Sequence, residues 1–298
     1  MAINAILDSD KFGFVEIVLN RDLSGREEIM SNEQERKVIE QYSGYPEGMR
    51  LTYSKANETE FIVTMHYIHK VLFLAAKIAD VGAGGGTYTK ALAEEGCFVD
   101  AVELTPSYVE QMKDIFAGNE MVNVFQGNAK HLPFMKDNEY DIVLLMGPIY
   151  SLKDFEERKA ACQEALRIVR PGGYVFIAFC LQDAPLIHEI FMSENPADEI
   201  TTIGYDRENA LVTDNTGSSR ILDTISSVDE LIDAVCTENN TVKVCRFSQD
   251  GVSQIISNSV NSMKEDSYKE WIQYLISTAE RPDLIGFSDH IVQVLKKR

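Results

Sequence analysis

The residues from Asp80 to Gly86 have the types and the spacing of a ligand-binding turn. Asp80 lies in a short apolar run, and glycines follow at positions 82, 84, 85 and 86, with Ala83 between the first two. Glycines that follow a strand let the backbone approach a ligand closely, as they do in nucleotide-binding folds. The segment therefore predicts a strand-to-helix turn whose backbone approaches a bound ligand.

Two phosphate-binding patterns do not fit this turn. The dinucleotide fingerprint G-x-G-x-x-G requires a third glycine at position 87, where this chain has Thr87, and the G-x-x-x-x-G-K-[ST] phosphate loop is absent. The carboxylate of Asp80, two residues before the first glycine, would also repel a pyrophosphate. These features favour a ligand that has no phosphate and can carry positive charge.

A second acid stands where a ribose would be bound. Glu103 ends the next apolar run and lies 21 residues after Gly82. A carboxylate at this point of an α/β sheet can accept hydrogen bonds from ribose hydroxyls. Asp100 is a weaker alternative because it falls in the middle of the same run.

The elements that must position these residues alternate between short apolar runs and helical patterns. This alternation predicts an α/β fold, a doubly wound, mostly parallel sheet with helices on both faces. The predicted strands of this part are Ile78–Val81, Phe98–Glu103, Val122–Gln126, Tyr140–Met146 and Tyr174–Cys180. The predicted helices are Thr87–Glu95, Pro106–Ala117 and Lys153–Val169, and the "RPGG" at Arg170–Gly173 is predicted to be a helix-to-strand turn.

Elements are also predicted on either side of this core. Two helices precede it, Ser31–Tyr42 and Ala56–Leu74, and the strand-like residues 12–20 have no assigned place. After the core we predict a helix over 181–200, an irregular segment Thr201–Ile221, helix Val228–Thr237, strand Val242–Phe247, one long helix Val252–Ala279 and strand His290–Lys296. The expected organisation is an N-terminal helical cap (1–74), a cofactor-binding core (75–180), an inserted lid (181–226) and a C-terminal segment that completes the sheet (227–298).

Composition limits the partners of the protein. The chain has 47 acidic and 28 basic residues and a net charge of −19, so we expect no nucleic-acid partner. No run reaches the roughly 18 apolar residues of a membrane helix, and the N-terminus does not have the pattern of a signal peptide. The five scattered cysteines form no C-x-x-C pair. We therefore expect a cytoplasmic protein without membrane partners, disulfides or a metal site.

Three segments together resemble one enzyme family. The D-x-G-x-G-x-G pattern at 80–86, "YDIVLLMGPIYSL" at Tyr140–Leu152 and "EALRIVRPGGYVFIAF" at Glu164–Phe179 resemble class I S-adenosylmethionine-dependent methyltransferases. The resemblance runs from about Glu60 to Cys180 and implies a Rossmann-like fold with a seven-stranded sheet. Within the family, the loop is similar to a small-molecule subgroup that has G-P-[LI]-Y-H-L. Ser151 replaces the histidine of that pattern, so a catalytic histidine is not carried over.

The resemblance also implies a ligand and a set of contacts. S-adenosylmethionine is a sulfonium that carries an ammonium group and an adenosine but no phosphate. Asn128 and Ala129 match the positions that contact adenine, although Asn128 stands where an aspartate is more usual. Tyr150 is the first candidate for a catalytic residue and His66 the second. The implied cofactor-binding residues are Asp80, Gly82, Ala83, Gly84, Gly86, Glu103, Leu104, Asn128, Ala129, Met146 and Gly147.

The function that these features predict is methyl transfer from S-adenosylmethionine to O, N or S of a small molecule, by a monomer or homodimer. A non-catalytic regulator that binds S-adenosylmethionine remains an alternative, as does, less well supported, an NAD-dependent oxidoreductase. His66 and His69 lie at i and i+3 without the further ligands of a zinc site, and we expect His290 to serve packing or a turn.

Overall fold

The structure is a computed structural model that describes residues 35–40, 50–192, 205–206, 211–212 and 221–298. The chain divides into two compact units, Met1–Arg36 and Lys37–Arg298, and nearly all described residues belong to the second. Of the predicted helix Ser31–Tyr42, residues 35–40 are described and are helical. The strand-like residues 12–20 and the end of the predicted helix, 193–200, lie outside the described residues. The division into cap, core, lid and C-terminal segment remains a prediction.

The strands of the described residues are, in chain order, β1 (Lys77–Val81), β2 (Phe98–Glu103), β3 (Val122–Gln126), β4 (Tyr140–Leu145), β5 (Val169–Cys180), β6 (Tyr205–Asp206), β7 (Leu211–Val212), β8 (Thr241–Ser248) and β9 (His290–Lys297). Seven of them form one sheet in the order β3-β2-β1-β4-β5-β9-β8. Neighbouring strands are parallel from β3 to β5, whereas β9 is antiparallel to both β5 and β8. The predicted seven-stranded, mostly parallel Rossmann-like sheet is confirmed.

Helices follow the strands of the parallel half, as the alternating pattern predicts. They are α1 (Lys55–His69), α2 (Thr87–Glu94), α3 (Pro106–Ile115), α4 (Phe155–Ile168), α5 (Asp183–Met192), α6 (Ile225–Glu238), α7 (Ser257–Asn261) and α8 (Glu265–Thr278). Among the described residues, the helices lack the length and apolarity needed to cross a bilayer.

Local chemistry explains where several helices begin. The side chain of Asp154 accepts the backbone N–H groups of Glu156 and Glu157, so α4 starts with two of its free donors satisfied. Thr224 and Ser227 form a reciprocal capping box at α6. Pro106 opens α3, where its missing N–H costs no hydrogen bond.

Two apolar layers cover the two faces of the sheet. Because side chains alternate along a strand, Ile177 of β5 faces the layer that contains α4 and α6, whereas Phe176 faces the layer that contains α1, α2 and α8. Both side chains are fully buried. The parallel strands are thus covered on both faces, as a doubly wound sheet requires.

The strand order reverses at β1, and this is what creates a crevice. β1 pairs with β2 on one side and with β4 on the other, with Val81 opposite both Val102 and Leu145. The chain after β1 and the chain after β4 therefore leave the sheet side by side at its carboxyl edge. Ligands bind at such switch points in open α/β sheets.

Three boundary predictions were wrong. The long helix predicted over Val252–Ala279 is two helices, α7 and α8, because the backbone is extended at Lys264 and the side chain of Asn261 accepts the N–H of the distant Ala56. Arg170–Gly173 lies inside β5 rather than before it: helix α4 ends at Ile168, and Gly172, with a φ of 80°, bends the strand where its register with β4 shifts. The segment predicted to be irregular contains the short antiparallel pair of β6 and β7.

A buried ion pair ties α4 to the chain just before α6. Both guanidinium nitrogens of Arg158 donate to Asp223, at 3.0 and 2.6 Å, and the side chains are 8% and 1% exposed. Removing one partner of such a pair leaves an uncompensated buried charge, which is more costly than the pair's own net contribution.

We predict that Asp223→Asn lowers the free energy of unfolding by about 3–5 kcal/mol. The matched control is Asp233→Asn, which removes the carboxylate of the solvent-exposed Lys243–Asp233 pair and should cost less than about 1 kcal/mol. Urea unfolding followed by circular dichroism measures both. Equal effects of the two substitutions would contradict the role assigned to the buried pair.

Candidate functional site

The glycine turn is shaped by contacts within the protein as well as by its backbone conformation. Gly82, Gly84 and Gly86 have φ values of 80°, 54° and 79°, in the left-handed region that favours glycine. A Cβ on Gly82 would lie 2.4 Å from Cδ of Pro148, and one on Gly86 would lie 3.1 Å from the ring of Phe116. Residues 82–85 remain half-buried, whereas Gly86 is buried. Gly82 and Gly86 thus allow Pro148 and Phe116 to pack closely against the turn, whereas the backbone in the middle of the turn remains accessible to a ligand.

Asp80 holds the turn against the following helix. It is fully buried, and its Oδ2 accepts a hydrogen bond of 2.7 Å from Thr89 Oγ1 in the first turn of α2. Burial raises the pKa of Asp80 to about 6; the Thr89 hydrogen bond acts against this shift, and the nearby charge of Glu103 adds to it. This geometry favours a role for Asp80 in orienting the turn over direct contact with a ligand.

Glu103 joins the end of β2 to the middle of the turn. Its Oε2 accepts the N–H of Gly84 at 2.9 Å, and its Oε1 accepts the N–H of Thr105 at 2.8 Å. Each carboxylate oxygen keeps a further lone pair that can accept a hydrogen bond. Leu104, which follows directly, is half-buried at the same edge.

The competing acid Asp100 is engaged elsewhere. Its two oxygens accept hydrogen bonds from Asn123 Nδ2 at 2.8 Å and from the Tyr140 hydroxyl at 2.7 Å. Lys77 Nζ, at the first residue of β1, lies 3.6 Å away. Asp100 therefore belongs to a polar group nearer the amino ends of the strands, and Glu103 is the acid at the switch point.

The loop after β3 brings Asn128 and Ala129 to the same edge. The Oδ1 of Asn128 accepts the N–H of Lys130 at 3.0 Å, which stabilises the turn. Ala129 is buried with its neighbour Leu132 in the core of the α4 face. β3 lies next to β2, so this loop is adjacent to the end of β2 that carries Glu103.

The loop after β4 forms the opposite side of the crevice. A Cβ on Gly147 would lie 3.0 Å from the carbonyl oxygen of Gly82, so the two loops meet backbone to backbone. The Met146 carbonyl accepts a hydrogen bond from the hydroxyl of Tyr150 at 3.2 Å. Tyr150 is 5% exposed, and its ring meets that of His290 edge-on at 6.1 Å between centroids.

The structure does not bring His66 to this edge. Its ring lies against Tyr67, and burial, followed by the charges of Lys70 and His69, lowers its pKa. His69, one turn later, pairs with Glu95, which lies between the end of α2 and the start of β2. His66 is therefore at the end of α1 that is nearer the amino edge of the sheet.

Another group of polar residues stands at the carboxyl edge, and the sequence interpretation missed it. Glu60 from the first half of α1, Asp250 from the chain after β8, and His290 at the start of β9 are all buried and close together. His290 pairs in register with Cys180 at the end of β5. The sequence contained one indication of this group: Glu60 is an acid on the same helical face of α1 as the buried residues Ala56, Val63 and Tyr67.

Comparisons with known proteins agree with this geometry. Residues 79–177, which run from β1 to β5, match the family described as a methyltransferase domain. A demethylmenaquinone methyltransferase of Clavibacter sepedonicus is 31% identical over 112 residues, which are 37% of this chain and 44% of that protein. A ubiquinone biosynthesis O-methyltransferase of Aromatoleum aromaticum is 28% identical over 116 residues, 38% of this chain and 48% of that protein. Residues 79–177 thus match a methyltransferase-domain family, and the chain spans less than half the length of these curated relatives.

Solved structures share the fold over most of the chain. The N-methyltransferase NodS from Bradyrhizobium japonicum, in complex with S-adenosylhomocysteine, has a TM-score of 0.54 at 11% identity and covers 89% of this chain and 98% of its own. The 1,6-didemethyltoxoflavin-N1-methyltransferase of Burkholderia thailandensis has a TM-score of 0.52 at 16% identity, covering 94% of this chain and 93% of its own. At these identities the likeness shows the fold alone.

The buried Asp80 generates a pH prediction. Its pKa of about 6 in the folded protein exceeds the value near 3.9 expected of an unfolded chain, so the folded state keeps a proton that the unfolded state releases. Stability should therefore fall as pH rises from about 4 to 6, by an amount on the order of 2–3 kcal/mol. Asp80→Asn lacks this titration but keeps an acceptor for Thr89.

Urea unfolding of the wild type and of Asp80→Asn at pH 4, 5, 6 and 7 measures the effect. Unfolding is followed by the fluorescence of Trp271 at low protein concentration. We expect Asp80→Asn to gain stability relative to the wild type as pH rises, and to keep a constant advantage above about pH 6.5. A stability difference that is independent of pH would contradict the burial of an ionisable Asp80.

Proposed function

We propose that the protein is an S-adenosylmethionine-dependent methyltransferase that acts on a small molecule. The observation that carries the proposal is the meeting, at one switch point, of the accessible glycine turn, the carboxylate of Glu103 and the Asn128–Ala129 loop. The methyltransferase domain match over residues 79–177 supports it independently. The two curated relatives are named methyltransferases, and the NodS structure contains S-adenosylhomocysteine. Both facts support S-adenosylmethionine as the methyl donor.

Each part of the cofactor has a candidate partner in this chain. Glu103 has a free lone pair on each carboxylate oxygen for the ribose hydroxyls while it holds Gly84. Asn128 and Ala129 would contact the adenine, with Leu104 beside them. Gly82, Ala83 and Gly84 would lie along the amino-acid part, kept in position by Asp80 and Gly86. Met146 and Gly147 would lie toward the sulfur.

When bound, S-adenosylmethionine supplies an activated methyl group, and transfer is an in-line displacement. The residues of the chain then need to hold the acceptor atom within roughly 3–3.5 Å of the methyl carbon and exclude water. Tyr150 is the proposed contact to the acceptor. Its hydroxyl donates to the Met146 carbonyl at the end of β4, and a phenolic oxygen can act as an acceptor toward a hydroxyl or an amine. His66 is not retained in this role because it lies toward the other edge.

The surroundings of the crevice would select the acceptor. We propose that the insertion 181–226, through its described elements α5, β6 and β7, forms a lid over the carboxyl edge, and that the N-terminal helix α1 caps it. The free thiols of all five cysteines are consistent with the proposed reducing, cytoplasmic compartment.

Turnover tests the proposal directly. The full chain is incubated with S-adenosylmethionine and a panel of catechols, quinols, amines and thiols, and S-adenosylhomocysteine is quantified by mass spectrometry. Acceptor-dependent S-adenosylhomocysteine supports the proposal. Cofactor binding without turnover over a broad panel favours the regulatory alternative, and micromolar binding of NAD(H) without binding of S-adenosylmethionine favours the oxidoreductase.

The ribose assignment gives a residue-level prediction. Glu103→Ala should weaken S-adenosylhomocysteine binding by about 1–3 kcal/mol, because charge-assisted hydrogen bonds to the ribose are lost. Asp100→Asn is the matched control on the same strand and should bind normally, since Asp100 contacts Asn123 and Tyr140 instead. Isothermal titration calorimetry measures both variants. Unchanged affinity of Glu103→Ala, or an equal loss in the control, would refute the assignment.

A further inference from the structure

The group of Glu60, Asp250 and His290 is a separate feature of the carboxyl edge. The three residues come from three distant parts of the chain, α1, the segment after β8 and the first residue of β9. One ligand-type atom from each lies within 4.8 Å of the others. The side chains of Glu60, Asp250 and His290 are 6%, 0% and 8% exposed, so the group is closed to solvent.

Polar atoms in this group lack hydrogen-bond partners, although His290 Nδ1 lies within ion-pair distance of both carboxylates. Among the described residues, Asp250 Oδ2 and both ring nitrogens of His290 are buried and make no hydrogen bond. Buried polar atoms in folded proteins are almost always satisfied, and exceptions point to a missing water or ion or to a functional constraint. Here the unsatisfied atoms belong to neighbouring side chains that face one another.

Distances indicate what would satisfy them. His290 Nδ1 lies 3.5 Å from Asp250 Oδ2 and 3.7 Å from Glu60 Oε2. Two ligands at about 2.1 Å from one tetrahedral metal ion lie about 3.4 Å apart. A proton shared between the imidazole and either carboxylate would instead draw nitrogen and oxygen to about 2.7–2.9 Å. Both distances are longer than a charge-assisted hydrogen bond and close to the spacing around a common ion.

Both carboxylates are also held from behind, as metal ligands usually are. Ser288 Oγ donates to Asp250 Oδ1, which leaves Oδ2 directed at His290. Arg50 donates to the two oxygens of Glu60 at 2.6 and 3.0 Å. An imidazole that binds a metal is neutral, and the two carboxylates and one guanidinium beside it then carry a net negative charge that the bound cation would offset.

We propose that Glu60, Asp250 and His290 bind a divalent transition-metal ion of the zinc or manganese type. One imidazole with two carboxylates is a donor set that suits these ions. Since the site is closed and its ligands come from α1, the chain after β8 and the start of β9, the ion would cross-link helix α1 to the C-terminal strands beside Tyr150. This makes it a structural site that supports the proposed acceptor cleft.

Metal content tests the proposal without cofactor or acceptor, so its result is independent of the proposed function. The full chain, with any affinity tag removed, is stripped with a chelator and equilibrated separately with Zn²⁺ and Mn²⁺, and bound metal is measured by inductively coupled plasma mass spectrometry. We expect one ion per chain and a rise in melting temperature on adding the preferred ion.

Variants locate the ion. His290→Gln should lower metal affinity by at least about 100-fold. Ser288→Ala removes the hydroxyl that holds Asp250 Oδ1 and also contacts the His290 carbonyl and the Gly251 N–H, and it should lower affinity by about 10–100-fold. His69→Gln removes the exposed histidine that pairs with Glu95 and should bind metal as the wild type does. If His290→Gln does not fold, Asp250→Asn, which keeps side-chain size, takes its place.

Two results would overturn the proposal. The first is a wild-type protein that retains neither ion after equilibration and whose melting temperature neither ion changes. The second is a folded His290→Gln or Asp250→Asn protein that binds metal as tightly as the wild type, which would place the ion elsewhere.

Discussion

The close approach of two backbone segments at the switch point is the constraint on which the rest of the structure depends. Gly82 and Gly147 have no side chains, and this lets the chain after β1 lie directly against the chain after β4. Pro148 occupies the space that a side chain on Gly82 would need. With this contact in place, the turn is directed toward β2, and Gly84 reaches the carboxylate of Glu103. The crevice is therefore a product of backbone packing, and the ligand-facing groups are positioned by it.

Buried carboxylates are the second recurrent feature, and each is balanced in its own way. Asp80 is balanced by a hydroxyl donor and a raised pKa, Glu103 by two backbone N–H groups, and Asp223 by the guanidinium of Arg158. The net charge of −19 therefore does not reside only on the surface. Asp250 is the exception, since one of its oxygens makes no hydrogen bond among the described residues and has only the longer contact with His290. Because a buried polar atom without a hydrogen bond is costly, the proposed cation is assigned to this place.

Local patterns in the sequence predicted the parts of the structure that local chemistry determines. The glycine spacing after Asp80 and the acid at the end of β2 are such patterns, and the strands β1 to β4 lie within one residue of their predicted bounds. Helical periodicity was misleading between α7 and α8, where the extended backbone of Lys264 separates the two helices. The "RPGG" segment has the residues of a turn and forms an irregularity inside β5, between Val169 and Tyr174, which both pair with β4.

The remaining features depend on contacts between distant residues, which spacing alone does not reveal. The sequence did not predict the proposed metal site, because Glu60 and Asp250 are 190 positions apart and their proximity follows from the position of β8 and β9 at the sheet edge. His290 was predicted to serve packing or a turn, and its buried ring nitrogens without hydrogen bonds are evident only in the structure. His66 was predicted to be a catalytic residue because its helix, α1, reaches the site. The structure places it near the end of α1 that lies toward the amino edge of the sheet, away from the site.

The central claim is that the crevice between the β1 and β4 loops binds an adenosyl sulfonium ligand. The most direct measurement is a crystal structure of the full chain with S-adenosylhomocysteine. The account predicts a ribose whose hydroxyls face Glu103, an adenine beside Asn128 and Ala129, and a sulfur that faces the Gly147–Tyr150 loop. A ligand bound elsewhere, or a Glu103 carboxylate turned away from the ribose, would contradict it.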